Sequence, residues 1–467
     1  MWEFETDVER IQHTVLTEIS RLAIARRRDF LFDEVPKAVI PGSKPQFRCC
    51  VYRERAIVQE RVKLALPQAG EQIVQVIKPA CEQCPVHRVS VTDSCQGCIS
   101  KRCKETCPVG AISIVNKRAH IDYDKCLECG RCSKVCPYTA ITDHQRPCKA
   151  ACPVNAITVD NGETAVIDEE KCINCGRCIS GCPFGAIGEK TYILDVLDLL
   201  LEKKRLNAVV APAITGQYPG VALGQIKAAL KKLGFAHVFE VAMGADETVR
   251  KEAKELDEHL HLNEPMTSSC CPSFVQLIRK HYPAVLKYMS ATPSPMVEIV
   301  TMLEGLDSEA HTVFFGPCVS KKAEMLGAFG AKKHYAMTIA ELDALFDAFG
   351  VDPRECANEE IRDATRLGRS FPWSGGVTEA ILEYLQPEER VQTIAGNGTE
   401  ECIQHLRKLK FNKLEGDFLE GMACIGGCAG GPGCIRDIRE SVKEMKAFRD
   451  AAEKLVLAGT EGGDRPC

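Results

Sequence analysis

Eighteen of the 27 cysteines lie between positions 49 and 182, many of them two or three residues apart and followed by proline. Residues 126–137 and 172–183 both have the spacing C-x2-C-x2-C-x3-C-P, and residues 95–108 form a variant with two extra residues in the middle. This spacing points several thiolates at one centre, which is the geometry of an iron–sulfur cluster. A disulfide scaffold is usually short and secreted, whereas this chain of 467 residues has the length of about three domains. The cysteines therefore indicate cluster binding in a compartment that keeps thiols reduced.

The cysteine-rich region contains a duplicated module, because residues 102–112 match 147–157 and residues 125–137 match 171–183. In proteins with two such clusters, the fourth cysteine of each run binds the other cluster. The first module is therefore expected to hold two [4Fe–4S] clusters. The first of these has the ligands Cys95, Cys98, Cys103 and Cys136, and the second has Cys107, Cys126, Cys129 and Cys132.

The second copy of the module has a complete ligand set for one cluster. The expected ligands are Cys152, Cys172, Cys175 and Cys178. Because this copy lacks the opening C-x2-C pair, its other two cysteines, Cys148 and Cys182, are left with half a site. The nearby pair Cys81 and Cys84 has the required spacing, so we expect it to fold back and complete a fourth accessory cluster. The alternative is that this pair is structural or binds something else.

Three distant segments of the C-terminal region carry further cysteines: TSSCCPSF at 267–274, FFGPCVSKKAE at 314–324 and GMACIGGC at 421–428. Pro272 suits the first turn of a helix, where successive residues diverge by about 100°. Cys270 and Cys271 therefore cannot both face one centre. Together the segments offer four thiolates to one site: Cys271, Cys318, Cys424 and Cys428.

These segments resemble the three signature motifs of [FeFe] hydrogenases, TSCCPxW, PCxxKKxE and ExMACxGGC, which read here SCCPSF, PCVSKKAE and EGMACIGGC. With the cysteine modules, the resemblance covers nearly the whole chain from Cys81 onward. It is strongest to the monomeric, ferredoxin-fused branch called group B. The resemblance implies an H-cluster, in which a [4Fe–4S] cubane is joined to a diiron subcluster with CO, CN⁻ and azadithiolate ligands.

The resemblance also implies a role for each matching residue. The four thiolates listed above would hold the cubane, and Cys428 would bridge to the diiron subcluster. Cys270 would donate protons, and Lys321, in one motif with Glu324, would hydrogen-bond a cyanide. Other implied site residues are Met422, Pro212 and Ala213 around the diiron subcluster, and Glu252, Glu255 and Ser290 in a proton relay. For the two glutamates a solvated helix face is an equal alternative, because lysines surround them.

Some positions depart from the family pattern without affecting a ligand. Ala213 and Gly316 stand where well-characterised members have Ser and Met, Met296 replaces a polar residue, and the ending GGPGC replaces GGGQP. We therefore expect altered hydrogen bonding around the diiron subcluster.

The elements that position these residues follow from periodicity. Apolar residues at helical spacing and a Thr6–Glu9 capping box predict a helix over 6–26, and residues 49–78 form a second helix-like stretch. Further along, strands are expected at 208–214, 237–242 and 311–315, helices at 221–233 and 246–260, and a final helix at 435–457. This alternation favours parallel sheets covered by helices.

The expected fold is a multidomain combination of α+β and α/β architecture. It comprises an N-terminal helical segment (1–80), a duplicated ferredoxin-like domain with four [4Fe–4S] clusters (81–190) and a two-lobed α/β hydrogenase domain with parallel sheets (191–467). The net charge of −5 shows no overall excess of basic residues for binding nucleic acid. No apolar run approaches the length of a membrane-spanning helix. The N-terminus does not resemble a secretory signal, so we expect a cytoplasmic protein.

The expected activity is the reversible reduction of protons to H₂, with ferredoxin or a similar electron carrier and the hydrogenase maturation proteins as partners. One rival is a non-catalytic, hydrogenase-like iron–sulfur assembly factor, which would need neither Cys270 nor Lys321. Another is an H₂ or redox sensor acting through a separate partner. No ligand role is assigned to the remaining cysteines: Cys49, Cys50, Cys356, Cys402, Cys434 and Cys467. Cys434 is close enough to the cluster loop in sequence to support a ligand from outside the cluster. His87, which follows Cys84 and Pro85, is considered only as a further candidate for a metal ligand.

Overall fold

Along the chain, short hairpins in the cysteine-rich region separate two sets of longer helices. The structure, a computed structural model, describes residues 4–67, 72–160, 164–361, 363–386 and 391–452. Cys467 lies outside the described residues. The described residues form two compact units. The first takes in those of 1–75, 169–176 and 188–467, and the second takes in those of 76–168 and 177–187.

The N-terminal helices are α1 (Asp7–Ile24), α2 (Leu31–Val39) and α3 (Val51–Lys63). Thr6 and Glu9 form the predicted capping box: the Glu9 backbone N–H donates to Thr6 Oγ1 at 3.3 Å, and the Thr6 N–H donates to Glu9 Oε2 at 3.1 Å. Helix α3 is shorter than the helix-like stretch predicted over 49–78, because Pro67 has no backbone N–H with which to continue a helix.

The cysteine-rich region folds into repeated hairpins with one-turn helices between them. The strands are β1 (Val74–Val76), β2 (Val89–Val91), β3 (Ile112–Val115), β4 (Arg118–Ile121), β5 (Ile141–Asp143), β6 (Ile157–Asp160), β7 (Thr164–Ile167) and β8 (Ile187–Glu189). The helices are α4 (Arg102–Glu105), α5 (Arg131–Lys134), α6 (Pro147–Ala151) and α7 (Arg177–Ser180). The antiparallel pair β3–β4 recurs as β6–β7, and the pair β2–β5 recurs as β1–β8. The duplicated sequence therefore folds into a duplicated structure.

Longer helices alternate with buried strands in the C-terminal region. The helices are α8 (Ile193–Leu201), α9 (Leu223–Leu233), α10 (Val241–His261), α11 (Pro272–His281), α12 (Pro295–Leu306), α13 (Ser320–Phe329), α14 (Ile339–Phe349), α15 (Gly376–Leu385), α16 (Thr399–Lys410) and α17 (Ile438–Asp450). The strands are β9 (Leu206–Val210), β10 (His237–Glu240), β11 (Met266–Thr267), β12 (His311–Gly316), β13 (His334–Thr338), β14 (Thr393–Asn397) and β15 (Phe418–Met422).

The strands of this region form two parallel sheets, in the orders β10-β9-β12-β13 and β11-β15-β14. Parallel sheets were predicted from the alternation, and this is confirmed. Helix α10 begins five residues before the predicted 246, because Val241, Ala242 and Ala245 are buried along one helical face directly after β10. Helix α17 begins three residues after the predicted 435 and ends at Asp450, and the predicted residues 453–457 lie outside the described residues.

The N-terminal helices share a hydrophobic core with the first sheet. Val15 and Ile19 of α1 are buried in one cluster with Leu197 of α8 and Leu342 of α14. Residues up to 75 therefore belong to the same compact unit as the C-terminal region, whereas the sequence suggests a separate segment over 1–80. Among the described residues, no helix combines the length and apolar character needed to cross a membrane.

Candidate metal centre

The four C-terminal cysteines lie either at the start of a helix or in a loop that follows a buried strand. Cys271 caps the N-terminus of α11, and Pro272 occupies the first turn as predicted. Cys318 lies between β12 and α13, while Cys424 and Cys428 follow β15. Strands β12 and β15 belong to different sheets, so loops that follow strands of both parallel sheets contribute to the site.

The thiols of these four residues lie close enough to affect one another. Burial, followed by the neighbouring Cys271 thiol, raises the pKa of Cys318 to about 12. Burial and the thiols of Cys318 and Cys271 raise the pKa of Cys428 to about 12, although Lys321 lowers it. The same neighbours and burial raise the pKa of Cys424. Four thiolates in one enclosed space would repel each other, so this donor set fits an iron–sulfur cubane, whose iron ions supply the balancing charge.

The backbone around Cys428 is tightly packed. Gly427 has a φ of +83°, and a Cβ added there would lie 2.7 Å from the Trp373 backbone. Ala213 is 1% exposed and packs in one small core with Trp373 and Cys428. Met422, at the end of β15, is buried in another core cluster with Cys270. These contacts place Ala213 and Met422 beside the thiol group, while Pro212 starts the turn that contains Ala213.

Cys270 is buried next to this group of thiols. It is 7% exposed, and burial followed by the Glu252 charge and the Cys271 thiol raises its pKa well above the usual value. Glu252 is fully buried, and burial raises its pKa to about 7. The alternative of a solvated face for Glu252 is therefore wrong, and Lys251 instead bonds Glu298 at 2.8 Å.

A chain of hydrogen bonds connects Glu252 to Glu255. Glu252 Oε1 accepts from the Ser269 backbone N–H at 2.9 Å and from its hydroxyl at 3.1 Å. Ser269 Oγ is 3.4 Å from Ser290 Oγ, which accepts the Thr292 N–H at 3.1 Å. The Thr292 hydroxyl donates to Glu255 Oε1 at 2.7 Å. The structure thus brings Glu252, Ser290 and half-buried Glu255 together, with Ser269 and Thr292 between them.

Lys321 extends from α13 into the same interior. Its Nζ donates to Ser294 Oγ at 2.7 Å and to Glu324 Oε2 at 2.6 Å, and it lies 3.5 Å from the Cys270 carbonyl oxygen. Burial alone would lower the pKa of Lys321, but Glu324 and the thiols of Cys318 and Cys428 outweigh it and raise that pKa. Lys321 is therefore a buried cation next to the four thiols.

In the second unit, several cysteines of the first module lie close to one another. One cavity is lined by all four members of one group: Cys107, Cys126, Cys129 and Cys132. In the other group, burial raises the pKa of Cys103, and the nearby thiols of Cys98 and Cys136 add to the rise. Cys95 accepts the backbone N–H of Ala119 at 3.5 Å.

Cys81 occupies in the second module the position that Cys95 has in the first. It accepts the backbone N–H of Ala165, at 3.2 Å, and Ala165 of β7 corresponds to Ala119 of β4. Burial raises the pKa of Cys148 to about 11, and the thiols of Cys182, Cys81 and Cys84 add to it, in that order. The second unit therefore brings these four thiols together.

The remaining predicted set is divided between the two units: Cys152 and Cys178 belong to the second, and Cys172 and Cys175 belong to the first. Within the first unit, Lys280 Nζ donates to the Cys172 carbonyl oxygen at 2.7 Å. The Cys175 thiol contributes to the raised pKa of Cys424, after burial and the other three thiols. The loop that carries Cys175 therefore lies near the four C-terminal thiols.

Comparison with known proteins finds similar proteins for the C-terminal region and for the cysteine-rich region. Residues 204–432 match the family model described as iron only hydrogenase large subunit, C-terminal domain. Iron hydrogenase 1 of Clostridium pasteurianum is 29% identical over 383 residues, which cover 68% of this chain and 65% of that protein. The chain is an [FeFe] hydrogenase-like protein. It spans slightly less than two thirds of the length of that relative.

The N-terminal part of the hydrogenase-like protein matches two iron–sulfur models, a 4Fe-4S dicluster domain over residues 94–140 and the LdpA Fe-S cluster-binding domain over residues 142–193. A cytosolic Fe-S cluster assembly factor, NAR1 of Encephalitozoon cuniculi, is 25% identical over 40% of this chain and 63% of that protein. A solved [FeFe]-hydrogenase from Chlamydomonas reinhardtii is 19% identical over 55% of this chain and 88% of that chain, with a TM-score of 0.43.

Two departures from the family pattern have a packing reason in this hydrogenase-like protein. A Cβ at Gly316 would lie 2.4 Å from the Phe314 ring, so that ring fills the space that a side chain at 316 would need. Met296 is fully buried in a core cluster with Phe314 and Met325. These residues pack against each other and carry no polar group towards the site.

Several site residues of the hydrogenase-like protein were missed by sequence reasoning. Ser269 directly precedes Cys270, Thr292 follows Ser290 by two residues, and Ser294 bonds Lys321, but serine and threonine there carry no distinctive spacing. Two cysteines without a ligand role also lie near the site: Cys434, for which the sequence already indicated this position, and Cys402, for which it did not. Cys434 donates to the Ala429 carbonyl oxygen at 3.2 Å, and Cys402 donates to the carbonyl oxygens of Gly396 and Met422.

The other unassigned side chains have local contacts. Cys356 donates to the Asp352 carbonyl oxygen at 3.4 Å. His87 stacks on Tyr123 with ring centroids 3.6 Å apart, and its Nδ1 is 4.0 Å from Glu128 Oε1. Cys49 Sγ and Cys50 Sγ are 4.0 Å apart near the start of α3. These contacts give none of the four residues a cluster role.

Proposed function

We infer that this protein catalyses the reversible reduction of protons to H₂ at an H-cluster, with electrons delivered by ferredoxin or a similar carrier. The observation that carries the proposal is the meeting of four thiols with a buried lysine and a buried thiol that is not part of the set. The four are Cys271, Cys318, Cys424 and Cys428, and the additional groups are Lys321 and Cys270. A site for electron transfer alone requires only the four.

In this proposal the four thiolates hold the cubane and Cys428 also reaches the diiron subcluster. When bound, the H-cluster supplies the electron transfer and the metal chemistry that joins the hydrogen atoms. The protein positions it by the tight backbone at Gly427 and encloses it with Ala213, Pro212 and Met422. Lys321, held by Ser294 and Glu324, offers a fixed cationic donor to an anionic ligand such as cyanide.

The proposed proton path uses the buried acids and hydroxyls. Cys270 holds the last proton on its Sγ, and its burial keeps the thiol protonated. Glu252, with a pKa raised to about 7, can take up and give back a proton near neutral pH. Ser269, Ser290 and Thr292 connect it to Glu255, which is half-buried and so lies nearer to solvent. A hydroxyl can accept one proton while it donates another. The link from Ser290 to Thr292 is the Thr292 backbone N–H, so a proton needs a water molecule to pass that step.

Four accessory [4Fe–4S] clusters are proposed for the cysteine-rich region. The electrostatic groupings of thiols support the two sets of the first module and the set of Cys81, Cys84, Cys148 and Cys182. The set of Cys152, Cys172, Cys175 and Cys178 rests on sequence spacing. The closeness of Cys175 to Cys424 supports electron entry to the catalytic site through this last set.

A second candidate is a non-catalytic assembly factor, because the NAR1 protein is similar over 40% of the chain. Such a protein keeps the cubane thiolates and has no use for a proton donor at Cys270 or for the buried chain from Glu252 to Glu255. The preservation of these groups favours the hydrogenase. Hydrogenase maturation proteins are then required partners, and a reducing compartment, which the cytoplasm provides, is required for the clusters.

The proposal is tested by measuring H₂ evolution. The full chain is produced anaerobically with and without hydrogenase maturation proteins and assayed with chemically reduced ferredoxin. We expect activity only in the matured protein and none in its Cys428→Ala variant. Matured protein with full iron content but no activity in either direction would instead favour the assembly factor.

A further inference from the structure

A cluster of metal-ligating side chains lies outside the cysteine sites. His13 is on α1, and Asp343 and Asp347 are one helical turn apart on α14. One ligand atom of each lies within 4.8 Å of the other two. His13 Nε2 is 3.0 Å from Asp343 Oδ2 and 3.5 Å from Asp347 Oδ2. Both helices belong to the first unit, and their apolar faces share one core.

The charges of this cluster do not balance. Two carboxylates one turn apart repel each other, and a single histidine supplies at most one positive charge. The side chains of His13 and Asp343 are only 7% and 4% exposed, so water screens them poorly. Among the described residues, no lysine or arginine lies within ion-pair distance of either aspartate, although the charge of Arg21 acts on Asp347, and that of Arg354 on Asp343, from farther away. A buried site with excess negative charge favours a bound cation.

A fourth polar group faces the same cluster. The Tyr218 hydroxyl is buried and has no hydrogen bond of normal geometry among the described residues. Burial first, then the charge of Asp343 and a hydrogen-bonding contact with its carboxylate, and then the charge of Asp347 raise the pKa of this hydroxyl, which places it beside them. A buried hydroxyl that lacks a well-formed hydrogen bond loses part of that bond's free energy, so this position has room for a further polar group.

We propose that His13, Asp343 and Asp347 bind one divalent cation, with Tyr218 facing a water molecule on that ion. One imidazole nitrogen and two carboxylate oxygens suit Mn²⁺, Fe²⁺ or Zn²⁺. The Asp347 side chain is 38% exposed, so an ion can reach the site from solvent. The cation fastens α1 to α14 and thereby holds the N-terminal helices on the core of the first unit. This role is independent of the proposed hydrogenase activity.

The test uses Mn²⁺ as the probe, because Mn²⁺ prefers oxygen ligands to the thiolates of the cluster sites. The cluster-loaded full chain is dialysed against EDTA and titrated with Mn²⁺, while the electron paramagnetic resonance signal of free Mn²⁺ is measured. We expect one bound Mn²⁺ per chain. His13→Ala and Asp343→Asn should weaken binding by more than about 100-fold, because losing a ligand exceeds the roughly 10–100-fold cost of losing an outer partner.

Two further variants make the test decisive. His261→Ala removes an exposed histidine that also faces an aspartate, Asp257, at 3.8 Å, and it should bind Mn²⁺ like the wild type. If Asp343→Asn does not fold, Asp347→Asn, on a partly exposed side chain, should lose binding in its place. Binding in the wild type that survives these substitutions overturns the proposal. The absence of stoichiometric Mn²⁺ binding also overturns it and would make the cluster an ion pair only.

Discussion

The backbone N–H of Ala165 donates to the Sγ of Cys81 at 3.2 Å. Ala119 makes the corresponding contact with Cys95 in the first module. Strand β1 likewise precedes Cys81 and pairs with β8, as β2 precedes Cys95 and pairs with β5. A segment outside the duplicated sequence therefore takes the place of the cysteine pair that the second copy lacks.

This relationship predicts the effect of replacing Cys81 and Cys84 together by serine. The double variant should lose about four irons per chain, because half a ligand set does not hold a cubane. The matured wild type should contain about 22 irons, from five cubanes and one diiron subcluster. Iron analysis checks both values. The matched control, Cys49→Ser with Cys50→Ser, should keep full iron, and an unchanged iron content in the Cys81 and Cys84 variant would refute the fold-back.

The second prediction separates the neighbours Cys270 and Cys271. Cys270→Ala removes the proposed proton donor without removing a ligand, so iron content should stay constant while the rate of H₂ evolution falls by about 10²-fold or more. Cys271→Ala should lose the C-terminal cubane. Iron analysis and turnover are measured on both variants. Full activity in Cys270→Ala, or loss of its cluster, would show that the two roles are assigned wrongly.

The sequence predicts several of the groups in which cysteines lie together, because many of their spacings are set within short loops and one-turn helices, and the role of these cysteines as ligands stays a prediction. It does not predict Ser269, Thr292 or Ser294, which reach the site only because α10 and the loop before α12 pack together. The start of α10 was also misplaced. Residues 241 and 242 were assigned to the preceding strand because β-branched and small apolar residues fit a buried strand or a buried helix equally.

The third prediction concerns Glu252 and pH. Burial raises its pKa from 4.5 to about 7, so the folded carboxyl keeps its proton at pH values where the unfolded one has lost it. The stability contribution is therefore full below about pH 4.5 and is lost as the pH rises to about 7, at a cost of about 3 kcal/mol.

Glu252→Gln removes this titration. Between pH 5.5 and 8, the Tm of the wild type should fall relative to that of Glu252→Gln. Glu258→Gln is the control, since Glu258 is an exposed residue of the same helix and should leave the pH dependence unchanged. Parallel Tm curves for the wild type and Glu252→Gln would contradict the raised pKa.

The fourth prediction tests the tight backbone at Cys428. Gly427→Ala adds a Cβ 2.7 Å from the Trp373 backbone at a φ of +83°, so it should displace Cys428 and reduce the iron of the C-terminal cubane. Gly305→Ala is the control, because a Cβ there meets nothing within 4 Å in α12, where alanine is favoured by up to about 1 kcal/mol. Equal iron contents in the two variants would show that the close approach does not position the ligand.

The most direct test of the central claim is an infrared spectrum of the full chain produced with the hydrogenase maturation proteins. If Cys271, Cys318, Cys424 and Cys428 hold an H-cluster, the spectrum should show CO and CN⁻ stretching bands. The bands should be absent without maturation and in Cys428→Ala, and present in Cys270→Ala. A matured protein with complete cubanes and no such bands would contradict the assignment as a hydrogenase.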